Sequence, residues 1–108
     1  MKHILFDITK CSPDLLDDQT LIREILIEAS NAAKCEILKV DVHKFHPQGV
    51  TGYALLAESH ISIHTWPEKG IAKCDIFTCN SSNDPLAAIE YLKIRFQTIH
   101  VNRWTCNR

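Results

Sequence analysis

The stretch VTGYALLAE, Val50–Glu58, decides the fold. Alternate side chains of a strand point to opposite faces. Here both sets are apolar: Val50, Ala54 and Leu56 on one side, Tyr53, Leu55 and Ala57 on the other. A strand of this kind needs cover above and below.

Working outward, HILFDIT alternates Ile4, Phe6 and Ile8 against His3, Leu5 and Asp7 and reads as a strand. Ser12 offers a helix cap and Pro13 a first helical residue. The segment from there to Lys34 carries Leu21, Ile22, Ile25, Leu26, Ala29, Ala32 and Ala33 at helical spacing, which predicts one helix with an apolar stripe. CEILKVDVHKF is a second strand with Leu38, Val40 and Val42 on one face, and HPQG is the turn after it. ISIHTW and GIAKCDIFTC, joined by PEKG, supply two more strands. Asp84 and Pro85 open a helix whose inner side is Leu86, Ile89, Leu92 and Phe96, and TIHVNRW reads as a final edge strand. This order predicts an α+β two-layer sandwich, an antiparallel sheet with helices on one face. Two helices cover only one face, so Val50–Glu58 points to a homodimer with a second copy on the other.

The 108 residues make one domain, 1–108, with a formal net charge of −1. No basic patch marks a nucleic-acid partner. No apolar run reaches membrane-span length, and the MKHILFDITK start lacks a signal-peptide core, so a cytoplasmic location is expected. The odd count of five cysteines argues for reduced thiols over a disulfide framework.

AESHISIHTWPE, Ala57–Glu68, places polar Glu58, Ser59, His60 and His64 in a β-branched strand. Buried polar groups are costly unless satisfied or used. On a strand, His60 and His64 stand roughly 13 Å apart, too far to share a metal, and no metal is expected. No G-x-S-x-G elbow surrounds Ser59. Ser59 and His64 have opposite parity and face opposite ways on an unbroken strand, so joint action needs an irregular backbone near Ser59.

From Phe45 to Cys79, FHPQGVTGYALLAESHISIHTWPEKGIAKCDIFTC resembles the core signature of the small prokaryotic S-adenosylmethionine decarboxylase proenzymes, and KHILFDITKCSPDLLDD extends the likeness. The resemblance implies a dimerising α+β sandwich and self-cleavage between Glu58 and Ser59, giving a β chain 1–58 and an α chain 59–108. Ser59 would attack the Glu58 carbonyl and end as a pyruvoyl group, the enzyme's only cofactor. Its carbonyl would form a Schiff base with the substrate amine and take up the electron pair left by decarboxylation.

By the same resemblance His64 assists processing by proton transfer, Cys79 donates the proton after decarboxylation, and Thr51, where a serine is usual, supplies a processing hydroxyl. Phe45 and Trp66 would stack on the adenine and Glu68 would hold the ribose. Asn80 stands where glycine is common, at a turn expected to use its tolerance of left-handed backbone. No role follows for His60. The implied activity supplies decarboxylated S-adenosylmethionine for spermidine synthesis. Two alternatives stand beside it: a pyruvoyl-dependent arginine or ornithine decarboxylase, and a non-cleaving regulatory homologue.

Overall fold

The computed structural model describes residues 1–108. Its elements are β1 (Lys2–Thr9), α1 (Pro13–Leu16), α2 (Gln19–Ala32), β2 (Ile37–Lys44), β3 (Val50–Leu56), β4 (Ser59–Trp66), a single 3₁₀ turn (Pro67–Lys69), β5 (Ile71–Thr78), α3 (Pro85–Arg95) and β6 (His100–Asn107). The strands form one antiparallel sheet in the order β2-β3-β4-β5-β1-β6. This is the α+β arrangement expected from the strand and helix patterns.

The core lies between the sheet and the helices. Ile4, Phe6 and Ile8 of β1, Ala54 and Leu56 of β3, Ile61 and Ile63 of β4 and Ile76 of β5 are buried with Ile22, Ile25 and Leu26 of α2 and Ile89 and Leu92 of α3. Each buried side chain of this size contributes about 1.5–3 kcal/mol. The other face stays open: Leu5, Tyr53, Leu55 and Trp104 are 46%, 38%, 44% and 56% exposed. Both faces of β3 are apolar, yet this chain covers only one.

Leu86, expected on the inner side of the last helix, is 43% exposed, and Ala88 is buried there instead. Three further local expectations need correction. The helix expected up to Lys34 is two helices. Asp18 caps α2 by accepting from the Leu21 amide at 3.0 Å, and the Asp17 carboxylate turns away to accept from Gly49 N and Lys44 Nζ. Two aspartates that bond outside α1 end it after one turn. Ser12 holds the N-cap position of α1, but its side chain makes no capping bond.

The second correction is in β2. Its pairing with β3 slips between Ile37 and Lys39, so Ile37, Val40 and Val42 face inward. Leu38 is left 60% exposed. An extra residue in a strand reverses the parity of everything beyond it. Third, the final strand starts later and runs further than TIHVNRW, to Asn107.

Asp84 caps α3 as expected, accepting from Ala87 N. Both long helices end with the paired bonds of a Schellman turn, through left-handed Lys34 and Gln97. No helix is long and apolar enough to cross a membrane.

Candidate active site

β3 and β4 form a hairpin joined by only Ala57 and Glu58. Glu58 has φ 61°, a left-handed backbone that costs a non-glycine residue about 1 kcal/mol or more. The backbone is irregular at the residue before Ser59, but β4 itself is unbroken, so this irregularity does not turn Ser59 toward His64. Ser59 then starts a regular strand with its side chain on the helix side. Its Oγ is buried and has no hydrogen-bond partner. Leaving a hydroxyl in that state costs roughly 1–3 kcal/mol.

The Glu58 carbonyl is engaged from the next strand. Cys79, just past the end of β5, places Sγ 2.8 Å from the Glu58 oxygen and donates to it. Beside Cys79 opens a cleft of about 250 Å³. The turn after it forms without left-handed backbone at Asn80, whose Oδ1 instead accepts from the amide and hydroxyl of Ser82. The cysteines sort by environment. Burial pushes the Cys11 thiol up to about 11 and also raises Cys35 and Cys74, which makes them unreactive. Cys79 is half-buried and reachable.

A second group gathers at the far end of β4. Thr51 and His64 are directly paired across β3 and β4, with Oγ1 3.0 Å from Nδ1. Phe45, Trp66 and Glu68 line the adjoining cleft of about 330 Å³. The loop that carries Phe45 is anchored by Asp17, which accepts from Gly49 N at 2.8 Å. Buried Thr65 closes this end from below, accepting from Val50 N and donating to the Leu16 carbonyl.

Within one chain the two groups stay apart. Ser59 is buried against the helices, and His64 is exposed on the open face. At about 3.3 Å per residue they stand roughly 16 Å apart along β4. The fold thus brings Glu58, Ser59 and Cys79 together, brings Phe45, Thr51, His64, Trp66 and Glu68 together, and does not join the sets.

A third cluster escapes sequence reading. Asp75 Oδ2 is bonded by His3 Nε2 at 2.7 Å and by His60 Nε2 at 2.8 Å, and Ser62 Oγ donates to its Oδ1. Burial pushes the Asp75 carboxyl up, but the bonds from Ser62, His3 and His60 outweigh it and hold the group below its usual range. The signal was a lone carboxylate inside an apolar strand, though nothing in the sequence showed which residues would meet it. His60 and His64 bond to different partners and share no site.

The family model described as S-adenosylmethionine decarboxylase matches residues 2–108. This chain belongs to the S-adenosylmethionine decarboxylase family. It is 43% identical over 100 residues to the S-adenosylmethionine decarboxylase proenzyme of Acetivibrio thermocellus, covering 93% of this chain and 81% of that protein. With the proenzyme of the same name from Prochlorococcus marinus it shares 47% over 97 residues, covering 90% of this chain and 80% of the relative. The crystal structure of the adenosylmethionine decarboxylase from Aquifex aeolicus VF5 superposes with a TM-score of 0.88 at 33% identity, over 99% of this chain and 88% of that one. Family membership in the S-adenosylmethionine decarboxylases thus agrees with the resemblance carried by Phe45–Cys79, and with a sheet layered on helices.

Proposed function

We propose that this chain is the precursor of a pyruvoyl-dependent decarboxylase of S-adenosylmethionine, and that it cleaves itself between Glu58 and Ser59. The observation that carries the reading is the unpartnered, buried Ser59 hydroxyl directly after left-handed Glu58. A hydroxyl with no competing bond beside a strained peptide suits attack on that peptide.

In the first step Ser59 Oγ bonds to the Glu58 carbonyl carbon, and the bond from that carbon to the Ser59 nitrogen breaks, leaving an ester and a free amine. Cys79 Sγ, already donating to the Glu58 oxygen, stabilises the charge that gathers there. Removal of the Ser59 α-proton then expels the Glu58 carboxylate and leaves dehydroalanine at position 59. Tautomerisation to the imine and hydrolysis release ammonia, leaving a pyruvoyl group on the chain 59–108. The group supplies an electron sink for the pair left when carbon dioxide departs. Ser59 is the residue that fits it, because its buried oxygen has no hydrogen bond to lose.

The chain's own residues do the rest. Cys79, at the cleavage point and reachable from the cleft, delivers the proton to the decarboxylated carbon. Phe45 and Trp66 sandwich the adenine, their ring faces attract the sulfonium, and Glu68 accepts from the ribose hydroxyls. Thr51 orients the His64 ring, and His64 moves the processing proton.

The separation of the two groups supports a homodimer in which each site is shared. A second copy laid on the open face covers Leu5, Tyr53, Leu55 and Trp104. Laid antiparallel, it also brings the His64 end of one chain toward Glu58 and Cys79 of its partner, at the Ser59 end of β4. Each site then draws Glu58, Ser59 and Cys79 from one chain and Phe45, Thr51, His64, Trp66 and Glu68 from the other. The product, decarboxylated S-adenosylmethionine, supplies spermidine synthesis in a cytoplasmic setting.

The test supplies carboxyl-labelled S-adenosylmethionine, arginine and ornithine separately to the purified, cleaved protein. Release of labelled carbon dioxide from S-adenosylmethionine alone is expected. Release from arginine or ornithine alone would overturn the substrate assignment.

A further inference from the structure

We infer that His60, Asp75 and His3 form a bracket that holds the first residue behind the pyruvoyl group in place once the chain has been cut. This rests on the cleavage reading above and gives His60 a role as a positioning residue.

Before cleavage, Ser59 is tethered on both sides by the chain and pairs with Leu56 across the two-residue turn. Cutting after Glu58 turns the start of β4 into a chain terminus, and termini fray unless tied down. A reactive carbonyl carried on a fraying end loses its alignment, and a displacement of about 1 Å costs about a hundredfold in rate. The nearest side chain able to tie that end is His60.

The tie is built for restraint. Asp75 sits on β5 between β4 and β1, opposite Ser62 on one side and Leu5 on the other. Its carboxylate takes His60 and Ser62, both from β4, and His3 from β1. One anion thereby binds two of the first four residues of the new strand to the strand on its far side. Phe77 packs against both imidazoles, with ring centroids 5.6 Å from His3 and 6.2 Å from His60. The Phe77 contact, edge-to-face at His3 and tilted at His60, and the bond at Nε2 together restrain each imidazole. Charge-assisted bonds of this kind are roughly twice as strong as neutral ones.

A purely structural cluster would matter equally in cut and uncut protein. A bracket for the new terminus matters more after the cut, beyond the stability its bonds give the uncut fold. The experiment therefore measures amide hydrogen exchange across residues 60–66 in two backgrounds, the cleaved dimer and the uncleavable Ser59→Ala chain, each with and without Asp75→Asn. In the cleaved protein Asp75→Asn is expected to speed exchange by about tenfold or more. In the Ser59→Ala background the increase is expected to be several-fold smaller. His60→Ala should behave like Asp75→Asn, while His60→Gln, which keeps an N–H donor, should restore most of the protection. In the cleaved variants kcat should fall with little change in KM. Equal loss of protection in the two backgrounds would overturn the bracket, as would unchanged exchange in the cleaved protein. If Asp75→Asn, His60→Ala and His3→Ala all fail to cleave, the cluster acts before the cut and the inference is wrong. Absence of cleavage in the wild-type chain would instead strike the function proposed above, and the bracket with it.

Discussion

Ser59 and His64 lie on one unbroken strand and face opposite sides of the sheet, the serine buried beneath the helices and the histidine exposed. No side-chain rotation joins them within a chain, because strand parity fixes the faces and the strand fixes the spacing. If both serve one reaction, they come from different copies.

Mixed dimers test that relationship. Neither Ser59→Ala nor His64→Ala alone should cleave at a normal rate. When the two variants are refolded together, the His64→Ala chain should be cut, because its intact Ser59 meets the His64 of a Ser59→Ala partner. Mass spectrometry of the mixture reads the result. No cleavage above that of the separate variants would show that each chain processes itself.

Cys79 is the half-buried thiol at the Glu58 carbonyl, in contrast to three buried ones. Cys79→Ala should lower decarboxylation by about 10²–10⁴-fold through loss of the proton donor. Cys106→Ala, at an exposed position on β6, should leave it near wild type. Carbon dioxide release from the cleaved protein distinguishes the two.

Asp75 gives the fold a pH dependence of definite sign. Its carboxyl titrates lower in the folded chain than in the unfolded one, where aspartate titrates near about 3.9. The stability it contributes is fully present above that unfolded value and is lost as pH falls through the folded one. In the Ser59→Ala background, thermal melts should show Asp75→Asn costing stability at pH 6. That cost should shrink as pH drops below about 4. A cost that is constant with pH would contradict the assignment.

Gly52 sits where an added side chain would press on its neighbours. A Cβ there meets Leu26 Cδ1 at 3.0 Å and Val42 Cγ2 at 3.2 Å, where β3 presses on α2 and β2. Gly52→Ala should destabilise the chain by about 1–3 kcal/mol in denaturant melts, as overpacking does. A neutral result would mean that α2 sits less firmly on the sheet than described.

Much of the fold was legible because local rules and packing agree. Alternation in β1, the two apolar faces of β3, Pro85 behind Asp84, and the apolar stripe of α2 all say what the structure does. The failures have a common cause in long-range bonds. Asp17 leaves its helix for Gly49 and Lys44, partners that no local pattern identifies. The bulge that expels Leu38 is set by pairing with β3. In the site, Ser59, Thr51, His64 and Cys79 were legible through a resemblance that Phe45–Cys79 carries without interruption. The parity of Ser59 and His64 was legible from spacing alone. Asp75 was not found, because its partner His3 lies 72 residues away along the chain.

The most direct measurement is the intact mass of the purified chain after long incubation, with and without borohydride. The account predicts two fragments, 1–58 and 59–108, whose summed mass exceeds that of the chain by one water less one ammonia. The C-terminal fragment should resist Edman degradation and gain mass on reduction of its carbonyl, and Ser59→Ala should stay whole. A wild-type chain that remains at 12.3 kDa, or fragments without a reducible carbonyl, would contradict it.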